Sequence, residues 1–438
     1  MKYSFSIFFA LLVGALTLGA DTGAAVEPAM RASSADESGN RDSQQEATEE
    51  NRFAVVVDSI EDGKIVLDPP LPEDGRYPAG TKVIVKGIPD EGYEVDSVYY
   101  SVPGRWGAMY HESLEGDFSV TIDQDKNLGA SFIERGKVES IDVIHNVAYA
   151  KPGNKQLKYD VYRPVAVSGK PLSGLPMVVI IHGGGWSTND EDIMRGLARE
   201  LVKTGKLVAC SIDYRWIGEG DGDQPATTMA NLIEDVFGAI LHVREHADEY
   251  GGDPNRIGVT GDSAGGHLSA SAATLIEQIG DDGFGKKEGV FQYRPTYVPR
   301  GMELDEAKRQ LLQSTRAAAP SYGVFAAEVL GRFQPGMGDG AGEAVAPQSN
   351  VPEINSRKIP HYVTRGTGDF LIGKEAVQAY VDALAEKGQL TVYDEVDGAG
   401  HAFFDWKPNA DVKATFQQYG VPYAAKMREF FVEHLDAD

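Results

Sequence analysis

The sequence predicts an α/β fold, a mostly parallel sheet flanked by helices, preceded by a small N-terminal all-β domain. Three observations carry this. From about residue 136 onward, short apolar runs alternate with helical patterns, as expected for strands joined by crossover helices. One of those runs, Ile257-Gly258-Val259-Thr260, leads directly into Gly261-Asp262-Ser263-Ala264-Gly265-Gly266. Between residues 52 and 135 the runs are shorter and are broken by Asp62-Gly63, Pro78-Ala79-Gly80 and Pro89-Asp90-Glu91-Gly92, a spacing that implies a small β module.

The chain of 438 residues is long enough for a catalytic domain and a smaller companion, and its 42% hydrophobic content supports a sizeable core. It opens with Lys2, an uncharged stretch from Phe5 to Ala20, and then Asp21. A basic start, a short apolar stretch and small residues near a break predict a secretory signal peptide over residues 1–24. The expected location is therefore secreted or periplasmic, with no membrane span after cleavage. Residues 25–51 are rich in Ser, Glu, Asp and Gln and poor in branched apolar residues, which predicts a disordered acidic linker. Cys210 is the only cysteine and sits in the apolar run 207–211. It is expected to be a buried strand thiol, and without a cysteine near the signal a lipoprotein anchor is excluded. A formal net charge of −25 repels nucleic acid and anionic membrane surfaces.

Within the β module, strands are expected at 54–57, 64–67, 81–85 and 119–122. In the catalytic part, from 136 to 438, Met177-Val178-Val179-Ile180-Ile181 is a nearly continuous buried strand, and Leu207 to Asp213 is the next. Helical spacing covers Asp190 to Thr204 and Ala226 to Tyr250; the latter carries Leu232, Val236, Ile240 and Val243 on one face. A further helix is expected from Ala264 to about Ile279.

Ser263 stands between glycines on a turn from a buried strand into a helix. Such a turn bends too sharply for side chains at the flanking corners, which explains Gly261 and Gly265 and raises the serine hydroxyl above the sheet. Immediately after strand 177–181 comes His182-Gly183-Gly184-Gly185-Trp186. Consecutive glycines let backbone amides turn inward, and the amides of Gly183, Gly184 and Ala264 are expected to form an oxyanion hole.

A serine nucleophile needs a base, and the base needs an orienting acid. His401, in the glycine-rich loop Gly398-Ala399-Gly400-His401 after the strand 390–396, is the expected base. His361 begins a strand, His434 lies on the last helix and His267 is one turn beyond Ser263, so these three are expected to be structural. Asp369 closes the strand and glycine turn 361–369, at the carboxyl end of a strand where sites on open sheets assemble, and is the expected acid ahead of Asp394 and Asp397.

Together these motifs, with Asp213-Tyr214-Arg215, Asp253-Pro254-Asn255-Arg256 and Gly366-Thr367-Gly368-Asp369, resemble the esterase/lipase group of α/β-hydrolases, near hormone-sensitive-lipase-like esterases and bacterial feruloyl and acetyl-xylan esterases. Asp160-Val161-Tyr162-Arg163-Pro164 is similar to the first-strand motif of the carbohydrate-esterase branch. The resemblance covers about 140–435. It departs after Arg215, where Trp216-Ile217-Gly218-Glu219 replaces the usual Leu-Ala-Pro-Glu. The β module, through Pro78-Ala79-Gly80-Thr81 and the run from Gly87 to Val98, resembles internalin-type B-repeat modules, which implies a spacer or a carbohydrate- or cell-surface-binding role.

The resemblance implies a secreted serine carboxylesterase acting on small-molecule or polysaccharide esters, acetyl or feruloyl esters among them, through an acyl-enzyme and with no cofactor or metal. A prolyl-oligopeptidase-like peptidase, an arylformamidase-like amide hydrolase and a non-catalytic surface-binding protein are the alternatives. Residues 280–312 form a long insertion bearing Phe284, Phe291 and Tyr293; with Trp186, these aromatic residues are expected to line a substrate pocket.

Overall fold

The computed structural model describes residues 51–103, 109–114, 116–166, 172–218, 226–333, 338–408 and 410–436. The expected signal peptide, nearly all of the acidic linker, and Glu219 lie outside the described residues.

The N-terminal module consists of β1 (Arg52–Val57), β2 (Gly63–Asp68), β3 (Arg76–Pro78), β4 (Thr81–Pro89), β5 (Tyr93–Pro103), β6 (Met109–Ser113), β7 (Ser119–Ile122) and β8 (Lys126–Glu134). These strands form a five-stranded sheet, β3-β1-β8-β5-β6, and a three-stranded sheet, β2-β4-β7. The period of two in β4 sets which side faces in: Val83 and Val85 are fully buried while Lys82, Ile84 and Lys86 are exposed. Val83 and Val85 join Val55, Val98, Leu128 and Phe132 in a core separate from the cores of the rest of the chain.

The second part carries an eight-stranded sheet ordered β16-β15-β14-β13-β11-β12-β10-β9. Its strands are β9 (Ile141–Ala150), β10 (Leu157–Pro164), β11 (Leu175–Ile181), β12 (Val208–Ile212), β13 (Gly252–Asp262), β14 (Thr315–Ser321), β15 (His361–Gly366) and β16 (Thr391–Val396). All neighbours pair in parallel except β10, which is antiparallel to both β9 and β12. One reversed strand next to the edge of a parallel sheet, covered by helices on both faces, is the α/β-hydrolase fold.

The helices that matter for the site are α1 (Arg195–Val202), α2 (Met229–Glu245), α3 (Ala264–Thr274), α4 (Leu304–Ser314), α5 (Lys374–Glu386) and α6 (Val421–Leu435). Strand β11 is apolar along its whole length because both faces are covered. Val179 and Ile181 pack with Leu232, Val236 and Ile240 of α2 and Leu268 of α3. Val178 and Ile180 pack on the other side with Leu197 and Leu201 of α1 and Met427 and Phe431 of α6. Helix α2 starts later than its apolar spacing suggests, because Thr228 and Asn231 form a capping box that fixes its first turn at Met229. Cys210 is buried on β12, and burial pushes its thiol above the usual range. Among the described residues no helix is long and apolar enough to cross a membrane.

The insertion is irregular up to about residue 303 and then forms α4, which buries Ala307 and Leu311. Isolated bridges join Ile279 to Tyr293 and Phe284 to Phe291.

Candidate active site

Strand β13 delivers Ser263 at its carboxyl end, and α3 begins at the next residue. Ser263 has φ 52° and ψ −114°, a left-handed backbone that a non-glycine residue adopts at a cost of order 1–3 kcal/mol and that recurs at functional sites. Its amide is held by the carbonyl of Ser321 on β14 at 3.0 Å. A side chain at Gly261 or Gly265 would run into the Ile181 carbonyl of the neighbouring strand, so the bend requires glycine at both positions.

His401 and Asp369 come from loops that interlock at the ends of β15 and β16. The Gly368 amide donates to the Ala399 carbonyl at 2.9 Å, the Thr367 amide to Val396 at 2.9 Å, and the Gly398 amide to the Thr367 hydroxyl at 2.8 Å. This clasp brings His401 Nδ1 to 2.8 Å from Asp369 Oδ2 and His401 Nε2 to 2.9 Å from Ser263 Oγ. With the carboxylate at Nδ1, that nitrogen carries the proton, and Nε2 is left to accept the serine hydroxyl. The other oxygen of Asp369 accepts the amides of Leu371 and Ile372, each at 2.9 Å. Burial would raise the Asp369 pKa, but the imidazole and these two amides outweigh it and hold the carboxyl below its ordinary value.

The remaining histidines and acids considered above sit elsewhere. His267 Nδ1 accepts the indole N–H of Trp186 at 3.2 Å while Nε2 donates to the Val345 carbonyl at 3.0 Å; burial lowers its pKa to about 4. His361 is tied to the Ile359 carbonyl and the Tyr380 hydroxyl. His434 packs edge-on against Phe430 on α6. Asp394 binds the Tyr362 hydroxyl and Lys426, and Asp397 lies 3.4 Å from the Thr367 hydroxyl.

The glycine-rich loop requires one correction. Gly183 donates its amide to Asp262 Oδ1 at 2.8 Å, so it is committed to the protein and not turned toward the serine. Gly184 (φ 121°) and Gly185 (φ 58°) have left-handed backbones. Among the described residues neither they nor Ala264, the first residue of α3, has an intramolecular acceptor for its amide. Among the described residues the amides left free in the glycine-rich loop and just after Ser263 are therefore those of Gly184, Gly185 and Ala264. The loop is braced by His182, whose ring stacks on Tyr214 at 4.2 Å and whose carbonyl accepts the Tyr214 hydroxyl at 2.9 Å.

The aromatic residues assigned to a substrate pocket also need correcting. Tyr293 is fully buried and donates its hydroxyl to the Ala344 carbonyl at 2.6 Å. Phe284 is buried between Tyr293 and Phe291, at centroid distances of 5.2 and 5.1 Å. Trp186 is 6% exposed, with its N–H on His267 and its ring 5.0 Å from Phe333. Tyr293 and Phe284 thus belong to the core with the half-buried Phe291 against them, and Trp186 packs separately on His267 and Phe333.

Motif reading missed a buried pair beneath the site. Asp262, the residue before the nucleophile, hydrogen-bonds Asp405 and accepts the Tyr322 hydroxyl at 3.2 Å. Tyr322 in turn accepts the Phe404 amide at 3.2 Å and lies 5.0 Å from the His401 ring. Burial and the facing carboxylate push Asp262 well above the usual range. The signal available in the sequence was the acid inside the motif itself.

Fold and constellation together define an α/β-hydrolase with a Ser-His-Asp arrangement. The sequence family described as BD-FAE matches residues 159–293. Carboxylesterase NlhH of Mycobacterium tuberculosis is 41% identical over 119 residues, 27% of this chain and 35% of that protein. Esterase LipQ of the same organism is 29% identical over 269 residues, 58% of this chain and 55% of that protein. The chain thus spans between about a third and just over half of the length of these relatives. A thermophilic esterase of Thermogutta terrifontis superposes with a TM-score of 0.49 at 23% identity, covering 67% of this chain and 92% of the other.

Proposed function

We propose that the chain is a secreted serine carboxylesterase that hydrolyses carboxylic esters through an acyl-enzyme. The observation that carries this is the position of His401 between Ser263 and Asp369, within hydrogen-bonding distance of both. Ester hydrolysis is also what the names of the similar proteins describe.

His401 Nε2 takes the hydroxyl proton as Ser263 Oγ attacks the ester carbonyl. Charge develops on the carbonyl oxygen, and the amides of Gly184, Gly185 and Ala264 stabilise it. A preorganised donor of this kind contributes roughly 2.7–4 kcal/mol to the transition state. The imidazolium, stabilised by the Asp369 carboxylate, protonates the departing alcohol. The same imidazole then activates the water that releases the acid.

The finer proposal is an acetyl or feruloyl ester of a polysaccharide, supported by the similarity of Asp160-Val161-Tyr162-Arg163-Pro164 to the carbohydrate-esterase branch. Turnover of 4-nitrophenyl acetate and butyrate, with Ser263→Ala as control, tests the activity: equal rates in the two proteins defeat it. Methyl ferulate and acetyl-xylan in the same panel test the substrate class. Export is tested by sequencing the N-terminus of the protein recovered outside the cytoplasm, which is expected to begin just after Ala20, Ala24 or Ala25.

A further inference from the structure

We propose that Asp96, on the N-terminal module, is a positioning residue for both active-site loops, so that the module and the hydrolase domain work as one catalytic unit. This rests on the serine-esterase reading above.

Asp96 lies on β5 where the pairing with β8 slips between Val95 and Ser97. Such an irregularity re-aims a side chain, and here the carboxylate leaves the module and is buried against the hydrolase domain, its side chain 1% exposed. Oδ1 pairs with Arg199 and, at 3.6 Å, with Arg195. Oδ2 accepts the indole N–H of Trp406 at 3.1 Å and the Ser131 hydroxyl at 3.2 Å. Arg195 also donates to the Asp96 carbonyl and to the Ser113 hydroxyl, each at 3.0 Å. Lys413 reaches Ser131 at 2.9 Å.

The partners of the Asp96 carboxylate in the hydrolase domain come from two segments. Arg195 and Arg199 stand on α1, the first helix after the glycine-rich loop. Trp406 is five residues beyond His401, and its backbone amide donates to the Ile193 carbonyl just ahead of α1 at 2.8 Å. One buried carboxylate therefore ties the segment behind Gly184 and Gly185 to the segment behind His401. The arginines outweigh burial and hold Asp96 ionised, and removing the charge leaves two guanidinium groups without it.

A cavity lined by Ser113, Ser131, Asn189 and Lys407 runs along this junction, and along it Asp96 is paired with Arg195, Arg199, Trp406 and Ser131. A spacer module would need no such set of pairings. Small displacements of a reacting group carry large kinetic penalties, up to about a hundredfold for roughly 1 Å, so a joint that fixes two loops acts on kcat.

The test uses the full chain with Asp96→Asn and, separately, Trp406→Phe, which keeps the ring and removes the donor. Near-UV circular dichroism establishes that each variant is folded. For 4-nitrophenyl acetate, kcat is expected to fall about tenfold or more in Asp96→Asn and roughly threefold in Trp406→Phe, with KM within about twofold. Labelling of Ser263 by a fluorophosphonate is expected to slow in parallel. Unchanged kcat in a folded Asp96→Asn overturns the proposal; if that variant does not fold, unchanged kcat in Trp406→Phe overturns it. Absence of Ser263-dependent turnover in the wild type is a different result, and it defeats the esterase reading.

Discussion

The amide of Gly183 donates to Asp262 Oδ1 across 2.8 Å, which joins the glycine-rich loop to the residue that precedes the nucleophile. Burial and the facing Asp405 raise the Asp262 carboxyl well above its ordinary value and so favour its neutral form. An amide side chain keeps an acceptor for the Gly183 amide and a donor for Asp405 but cannot also accept the Tyr322 hydroxyl. Asp262→Asn, which strands only the Tyr322 hydroxyl, is expected to cost about 1–2 kcal/mol in urea unfolding, whereas Asp262→Ala strands both the buried amide and the buried hydroxyl and is expected to cost roughly 2–4 kcal/mol. The sign of the pH effect follows from the raised pKa. Stability from this carboxyl is fully present below its unfolded value and is lost as pH rises through the folded one. Asp262→Asn is expected to remove that loss of stability with rising pH, which stability measured across pH will show.

Asp369 has the opposite sign. The His401 imidazole and two backbone amides overcome burial and depress its pKa. Its contribution to stability is present above the ordinary carboxylate value and is lost as pH falls through the lowered one. Asp369→Asn is expected to flatten the acid side of the stability profile. It is also expected to lower kcat by about 10⁴-fold with little change in near-UV spectrum, because the imidazole loses the partner that fixes its tautomer.

How much of this was legible in the sequence depended on the distance over which each residue is determined. Ser263 and its glycines are set locally by a strand-to-helix turn, and Asp369 and His401 lie on short loops at strand ends, so chain order and loop composition suffice to select them. The direction of the Gly183 amide is set by a partner 79 positions away, and three glycines in a row look alike without it. Asp96 and Trp406 are 310 positions apart, and nothing local marks either. In the module, β5 and β8 escaped notice because the slip at Val95 to Ser97 breaks their alternation and because β8 carries Gly129, which leaves room for the Tyr99 ring.

Steric room in the glycine-rich loop gives a sharper contrast. Gly184 has φ 121°, and a Cβ there would press on the Thr188 carbonyl and approach the Asn189 side-chain amide to 2.8 Å. Gly136 has open space around it and an ordinary φ. Gly184→Ala is expected to displace a donor from the oxyanion position and lower kcat by about 10²-fold or more. Gly136→Ala is expected to leave kcat unchanged. Steady-state kinetics on 4-nitrophenyl acetate will separate the two.

The aromatic residues of the insertion could serve a pocket or a core, since both use the same side chains; burial decides between them. Tyr293 sits 5.8 Å from Phe237 of α2 and 5.2 Å from Phe284, with no exposed surface and its hydroxyl on Ala344. Tyr293→Phe is expected to cost about 1 kcal/mol for the lost hydrogen bond, the Ala344 carbonyl being left without that donor. Tyr293→Ala is expected to cost roughly 3–5 kcal/mol, in the range of large aromatic truncations in a core. Neither substitution touches the groups around Ser263. In protein that remains folded, the ratio of kcat/KM for butyrate and acetate esters is expected to match the wild type. A changed ratio in folded Tyr293→Phe would assign this cluster to the acyl pocket after all, because loss of one hydroxyl inside a packed core has no route to acyl-chain preference.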